Sequence, residues 1–511
     1  MKNADTVIIG GGLGGLTAGA RLAKAGHKVC LIEQHFIPGG CATVFQRGDF
    51  SMEVGLHELD GLDKDDPKVD IFRELDVFDH VEFVKVPEFY RFKHGETDIV
   101  IPDNREAATR ILTEHFPHER QGIDKFFKKL FAIRKEVNRL PGKKWQLLLL
   151  LPIFPLLFPN LALGGRKNLG DFLDSIIADD ELKLVLQANL SYYHDDPYSM
   201  SLNYFGVAQA GYFAGGGHFI KGGSQRLSNH LAKVITDNGG EVLLATKVSE
   251  IIVENDCAVG VTIAKTVAGE GDKQRRINGK TIIANTAVPN VIDLLPEKQR
   301  RLFASKVEKL QIAASILSVY IGFNKEVKTL GNRHYSTLVF ADKTKQLKDV
   351  FPRNRSDDFS EKPFIFLDYS QIDSGLAPEG KSVGVITATD YITHWQDLNE
   401  ADYQAKKAAV AKVLLQRLEQ LLPGISEAVE QLEVATPKTI RRYTLNPQGS
   451  PYGYAQTPAQ AGQHRLPNQS PVNNLYFASA WVNPGGGFTG AILSGWFCAG
   501  ALLNNNGQPK S

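Results

Sequence analysis

Three glycines and one acid near the start of the chain have the spacing for a specific piece of chemistry. Gly10, Gly12 and Gly15 form a GxGxxG turn, and Glu33 follows about 20 residues on. In such a turn the first glycine permits the sharp bend and the second lets backbone approach a pyrophosphate. The third lets the next helix pack on the strand before it. Leu13 and Gly14 open that helix and belong to the same expected cofactor-binding set. Its free N–H groups and positive dipole end suit a phosphate. Glu33, with Gln34 beside it, lies where a carboxylate accepts both ribose hydroxyls, which favours FAD or NAD over NADP.

The elements that must hold these residues are legible on either side. Residues 6–9 form a short apolar run that reads as a buried parallel strand, and Leu16, Ala20 and Ala23 keep helical spacing. Lys24 falls in the last turn of that helix and Gly26 at its C-terminal end. The run KVCLIE is a second strand, ending at Glu33. Gly39 and Gly40 then mark a place where the chain passes close to a cofactor or to another backbone segment. The first strand leads directly into glycines, not into a cleavable leader, so a cytoplasmic protein is expected, with peripheral contact at the inner face of a membrane as a variant.

Composition removes other classes. The 511 residues are 43% hydrophobic, enough for about two to four folding units. A net charge of +1 gives no general attraction to nucleic acid. Cys30, Cys41, Cys257 and Cys498 are widely separated and form no CxxC pair, so neither a zinc site nor a disulfide framework is expected. The sequence shows no HExxH motif and no readable Ser-His-Asp grouping, and no metal is called for.

Further motifs carry a family resemblance. The stretches EQH and GGC, followed by VGLHEL, resemble the N-terminal fingerprint of the FAD-containing amine oxidase and phytoene desaturase superfamily, closest to its retinol saturase and carotenoid isomerase branch. The likeness recurs at residues 215–261, 435–454 and 475–503. It implies an α/β fold: a Rossmann-like, glutathione reductase-type FAD-binding domain, discontinuous, with an inserted α+β substrate domain. The implied spans are 1–74, 215–299 and 441–511 for the FAD domain, and 75–214 and 300–440 for the substrate domain. It further implies that Gly39 and Gly40 lie near the flavin, that Val248 lies against the adenine, and that Gly485, Gly486, Gly487 and Phe488 close the flavin site. His57, with Glu58 and Glu53 nearby, is the acid/base candidate the resemblance places at the flavin. Two departures stand out. Cys41 replaces the arginine common in amine oxidases, and Ala480 occupies a position where many relatives carry an acid for the ribityl chain.

In the last block, a strand running to Pro484 and then a helix from about Thr489 would aim a positive dipole end at the flavin. No second GxGxxG turn is present, so electrons must arrive from or leave to a diffusible partner such as a quinone, dioxygen or NAD(P)H. Residues 147–158 are apolar but broken by Pro152 and Pro155, which argues against a spanning helix. Lys143, Lys144, Trp145, Arg166 and Lys167 flank this stretch, as in a segment lying among lipid headgroups, with a buried helix pair or tunnel wall as the alternative. Tyr192, Tyr193, Tyr198, Tyr204, Phe205, Tyr212, Phe213 and Phe219 would line a polyene channel or fill a core. The expected activity is FAD-dependent oxidoreduction or isomerisation on a lipophilic polyene or isoprenoid. The competing readings are an amine or amino-acid oxidase and a non-enzymatic prenyl-lipid escort.

Overall fold

A computed structural model describes residues 3–142, 144–266 and 275–506. Lys143 lies outside the described residues, as do the side chains of Lys144 and Trp145. Two seven-stranded sheets organise the chain.

The first sheet is built around strand Asn3–Ile9. Val29–Ile32 pairs with it in parallel on one side and Arg275–Ala284 on the other. Glu241–Leu243 adds outside the former, and Leu475–Phe477 pairs in parallel with residues 282–284. An antiparallel hairpin, Thr246–Glu254 with Cys257–Lys265, extends the far edge. The central strands are apolar throughout because both faces are covered. Ile8 and Leu31 pack with Leu16, Ala20 and Leu231 on one face. Val7, Ile9, Cys30 and Ile32 pack with Val248, Ile251 and Val261 on the other. Segments far apart in sequence thus meet in one sheet, which is the discontinuous arrangement the resemblance implied. Helix Leu13–Lys24 follows the glycine turn, and Gly26 with φ +86° leaves its C-terminal end.

The second sheet runs in the order 429–435, 315–323, 382–390, 364–368, 336–339, 90–94, 97–101. All its pairings are antiparallel except that of 336–339 with 90–94. Helix Glu400–Leu421 covers one face, with Leu414 and Leu418 against Leu317, Val319, Ile321 and Ile386. The opposite face, carrying Tyr320, Val383 and Val385, shares a core with Phe50, Met52 and Leu56. Residues 50–56 therefore pack on that face of the second sheet.

The last block differs in detail from the expectation. Its strand ends at Phe477, and residues 478–487 form a turn containing a cis Asn483–Pro484 bond before helix Phe488–Asn506. The apolar stretch forms short helices at Lys144–Leu150, Phe154–Leu157 and Pro159–Gly164, and no described helix is long and apolar enough to cross a membrane. It is not a buried helix pair: Leu149 is 70% and Leu156 82% exposed, with Leu148, Leu151 and Leu163 also on the surface.

Candidate functional site

Four parallel strands of the first sheet each hand over to a residue that builds one cradle. After Ile9 comes Gly10 (φ +97°), whose N–H donates to the Ile32 carbonyl at 2.8 Å. After Ala284 comes Asn285, whose amide donates to the Gly10 carbonyl at 3.1 Å and whose Nδ2 stands 2.9 Å from where a Cβ on Gly12 would sit. After Phe477 comes Ala478, whose carbonyl lies 2.0 Å from a Cβ built on Gly14. A Cβ on Gly15 would meet the Gly10 carbonyl at 2.4 Å. Gly12 caps helix Leu13–Lys24 and offers no side-chain acceptor to its first turn, which leaves that end suited to an outside anion.

Glu33 follows Ile32 and is nearly buried. Its carboxylate accepts the Gly11 N–H at 2.6 Å and the His35 N–H at 2.8 Å. Gly39 donates to the Gly11 carbonyl at 2.7 Å, and Gly40 stacks its α-carbon region on Gly12. The glycine pair, with φ of +128° and +63°, is therefore required by backbone packed on the glycine-rich turn itself. Gln34 reaches the Tyr443 carbonyl. Ala245 and Thr246 donate to the carbonyls of His35 and Glu33, which brings buried Val248 to the Glu33 end of the cradle.

The closing loop forms the other end. Gly485 and Gly486 have φ near +85° and +88°, the Tyr204 hydroxyl donates to the Gly485 carbonyl at 3.0 Å, and Gly487 faces the Tyr452 ring. The Phe488 ring lies 3.7 Å from a Cβ built on Gly55. Thr489, in the first turn of the final helix, donates to Asp60 at 2.5 Å. That helix crosses the first so closely that a Cβ on Gly495 would meet the Gly14 carbonyl at 2.1 Å. Cys41 lies near this end, and burial pushes its thiol up to about 11, so it is a neutral thiol at physiological pH.

His57 sits against the face of the second sheet. Its Nδ1 pairs with the Tyr192 hydroxyl at 3.2 Å and its Nε2 with the Thr387 hydroxyl at 3.2 Å, while Tyr335 donates to its carbonyl. Burial lowers the imidazole to about 4, so the ring is neutral at physiological pH. Glu53 does a different job: it accepts from Gly55, Leu56 and twice from Ser224, tying the His57 loop to the segment before helix Gln225–Asp237. Glu58 is buried with neither carboxylate oxygen partnered, and burial, then Glu88, Asp60 and Asp103, raise it well above 4.5.

Against this geometry, the family model for flavin-containing amine oxidoreductases matches residues 13–503. The chain belongs to that family. Within it, the chain is 30% identical to a chloroplastic prolycopene isomerase of Daucus carota over 98% of its own length and 80% of the relative's. It is 27% identical to a neurosporene-forming phytoene desaturase of Rhodobacter capsulatus, over 96% and 92% of the two chains. It is 25% identical to an all-trans-retinol 13,14-reductase of Danio rerio, over 99% and 87%. An oxidoreductase from Methanosarcina mazei shares the fold, with a TM-score of 0.63 at 18% identity over 98% and 99% of the chains. The sequence resemblance is thus borne out, and the protein is a flavoenzyme of this family.

The residues present fit the family's flavin. The turn's glycines let backbone close on backbone and leave the first turn of helix Leu13–Lys24 without a side-chain acceptor, and buried polar atoms beside the closing loop, Arg465 Nε, Gln456 Oε1 and Tyr454 Oη, have no partner in the protein. Of the aromatic stretch, Phe205, Tyr212, Phe213 and Phe219 are core, whereas Tyr192 and Tyr204 reach the site. Sequence reasoning missed Asn285, Arg465, Asp60 and Thr387. Asn285 had a signal, being a polar residue directly after a strand; Thr387 and Arg465 had none, because only the tertiary fold brings them near His57 and Gly485.

Proposed function

We propose that this protein is a flavin-dependent oxidoreductase acting on carbon–carbon bonds of a lipophilic polyene or isoprenoid, by saturation, desaturation or cis/trans isomerisation. The observation that carries the reading is the end-to-end likeness to three relatives whose names describe an isomerase, a desaturase and a reductase of such chains. Bound flavin supplies a hydride acceptor or donor.

The chain's own residues divide the remaining work. Helix Leu13–Lys24, Gly12, Gly14 and Gly15 hold the pyrophosphate, Glu33 and Gln34 the ribose end, and Val248 the adenine. Gly39 and Gly40 brace the turn, and Gly485, Gly486, Gly487 and Phe488 close on the ring. His57, neutral between two hydroxyls, is suited to pass a proton between Tyr192 and Thr387 without carrying charge in a dry site. The electron partner is a visiting quinone, dioxygen or NAD(P)H, in keeping with a sequence that carries no separate NAD(P)H domain motif.

The exposed leucines at 148, 149, 151, 156 and 163, with Arg166 and Lys167 close in sequence, support reversible contact with an anionic lipid surface, from which such a substrate would be drawn. Vesicle sedimentation tests this: Leu149→Asp with Leu156→Asp releases the protein from anionic vesicles, and unchanged binding removes the idea.

For the main reading, the enzyme is expressed in cells that accumulate coloured carotenoids or are supplied with retinol, and the extracts are analysed by absorbance and mass. Gain or loss of two hydrogens marks redox chemistry, and altered retention at constant mass marks isomerisation. Unchanged lipids together with peroxide release from a polar amine would replace this reading by an amine oxidase. A colourless protein would point to an escort.

A further inference from the structure

Arg465 is the most unusual buried charge beside the closing loop. It is 5% exposed, and among the described residues no carboxylate forms an ion pair with it. Its Nη1 donates to the Tyr454 carbonyl at 2.7 Å and, more weakly, to that of Ala455 at 3.4 Å; Nη2 donates to the Ala480 carbonyl at 2.9 Å. Nε has no partner. The guanidinium lies directly against the loop, with Nη2 2.5 Å and Nε 2.6 Å from the place a Cβ on Gly485 would occupy. Tyr204, whose hydroxyl holds the Gly485 carbonyl, and Tyr454, whose ring centre is 6.0 Å away, are its other neighbours. Neither is anionic, since burial raises both phenols.

A buried cation held only by carbonyls is costly unless something negative completes it. Carbonyl dipoles offset part of that cost, and the unpartnered N–H shows the set to be unfinished. The position that could have supplied a counter-charge, residue 480, is alanine, and its backbone is what Arg465 grips. Reduction of a flavin by two electrons and one proton leaves one negative charge, which resides at the pyrimidine edge. This inference rests on the family's flavin and on the assignment of Gly485–Gly487 to that edge.

We propose that Arg465 is the fixed cation of the flavin site, placed behind the Gly485–Gly486 bend to stabilise the anionic reduced cofactor and so raise its reduction potential. Its charge acts together with the positive end of helix Phe488–Asn506, whose own nearby acid, Asp60, is partly neutralised by Lys68 at 3.5 Å. The site thereby favours a flavin that is readily reduced and is oxidised only by a strong acceptor.

The test is a redox titration of purified, flavin-loaded protein with dithionite against a reference dye, together with sulfite binding. Sulfite forms its bond to the oxidised ring at N5 and leaves the added negative charge on the same pyrimidine edge, so it reports the same stabilisation without turnover. Arg465→Met lowers the reduced-over-oxidised preference at least tenfold, equivalent to about 30 mV at two electrons, and weakens sulfite binding in parallel. Arg465→Lys keeps the charge and recovers most of both. A purely structural Arg465 would instead make the two variants lose flavin alike, leaving the potential of the retained flavin unmoved, and that result overturns the proposal. Should Arg465→Met fail to fold, Ala480→Asp sets a counter-charge on the residue Arg465 grips. It lowers potential and sulfite affinity in the same direction, and no change in either refutes the role. A protein that never acquires yellow colour sinks the flavin reading itself, a separate outcome from a flavoprotein whose potential ignores residue 465.

Discussion

The two seven-stranded sheets serve one site in opposite ways. In the parallel sheet the useful atoms lie just past the strand ends: Gly10, Glu33, Asn285 and Ala478 each directly follow a strand and meet around one helix N-terminus. In the antiparallel sheet the useful atoms lie on the face, in mid-strand: Thr387 holds His57, and the Tyr320 hydroxyl donates to the Val54 carbonyl at 2.9 Å. Parallel strands all point one way, so their ends converge on a crevice lined by free backbone groups. An antiparallel sheet has no such common end and can offer only a wall. The candidate binding residues therefore sit in tight, glycine-dependent backbone, while the surroundings of His57 are ordinary side chains on a sheet face.

That contrast sets the order of expected damage. Gly14→Ala drives a methyl into the Ala478 carbonyl at a crossing of two backbones, and costs about 3 kcal/mol, read as a lowered denaturation midpoint. Gly12→Val pushes on the Asn285 side chain, which can yield, so the fold survives and flavin is lost; the ratio of visible to ultraviolet absorbance measures it, and full colour would refute the cradle. Glu33→Gln keeps the shape and weakens two charge-assisted hydrogen bonds that hold the turn, giving about tenfold weaker flavin affinity by fluorescence titration.

Smaller effects belong to the region around His57 on the face of the second sheet. Glu58 binds its proton more tightly folded than unfolded, so its contribution is fully present below about pH 4.5. As pH rises from there towards the raised value, the unfolded chain ionises first and stability declines. Glu58→Gln flattens that decline, and parallel stability–pH curves for the two proteins would show Glu58 to be ionised after all. Thr387→Val, on the sheet face, removes one hydrogen bond from His57 and costs about 1 kcal/mol in thermal unfolding. If that substitution instead harmed flavin binding as much as Gly12→Val, the division between strand ends and sheet face would be wrong.

Legibility followed the same division. The glycine turn, its strand and helix, Glu33 and the closing glycines were readable because tight backbone restricts residue type: at Gly10, with φ +97°, a side chain is strained whatever the space. The paired Gly39 and Gly40 were located as a place of close approach, and the structure shows the backbone they approach, that of Gly11 and Gly12. The apolar stretch at 147–158 could be excluded as a spanning helix from its prolines, but its exposure could not be read, since a leucine on the surface and one in a core are the same letter. Nor did any local pattern distinguish Tyr192, which reaches His57, from Phe205, which is buried in the core.

By itself the sequence determined that a glycine-rich strand–turn–helix, an acid-terminated second strand and a glycine-rich closing helix would exist, because these depend on short-range sterics and hydrogen bonding. Only the tertiary structure decided that Asn285 locks the turn, that Thr387 and Tyr192 clasp His57, and that Arg465 lies uncompensated against Gly485. Those contacts join residues separated by up to hundreds of positions, and their partners are settled by which faces the two sheets bury, not by any spacing along the chain.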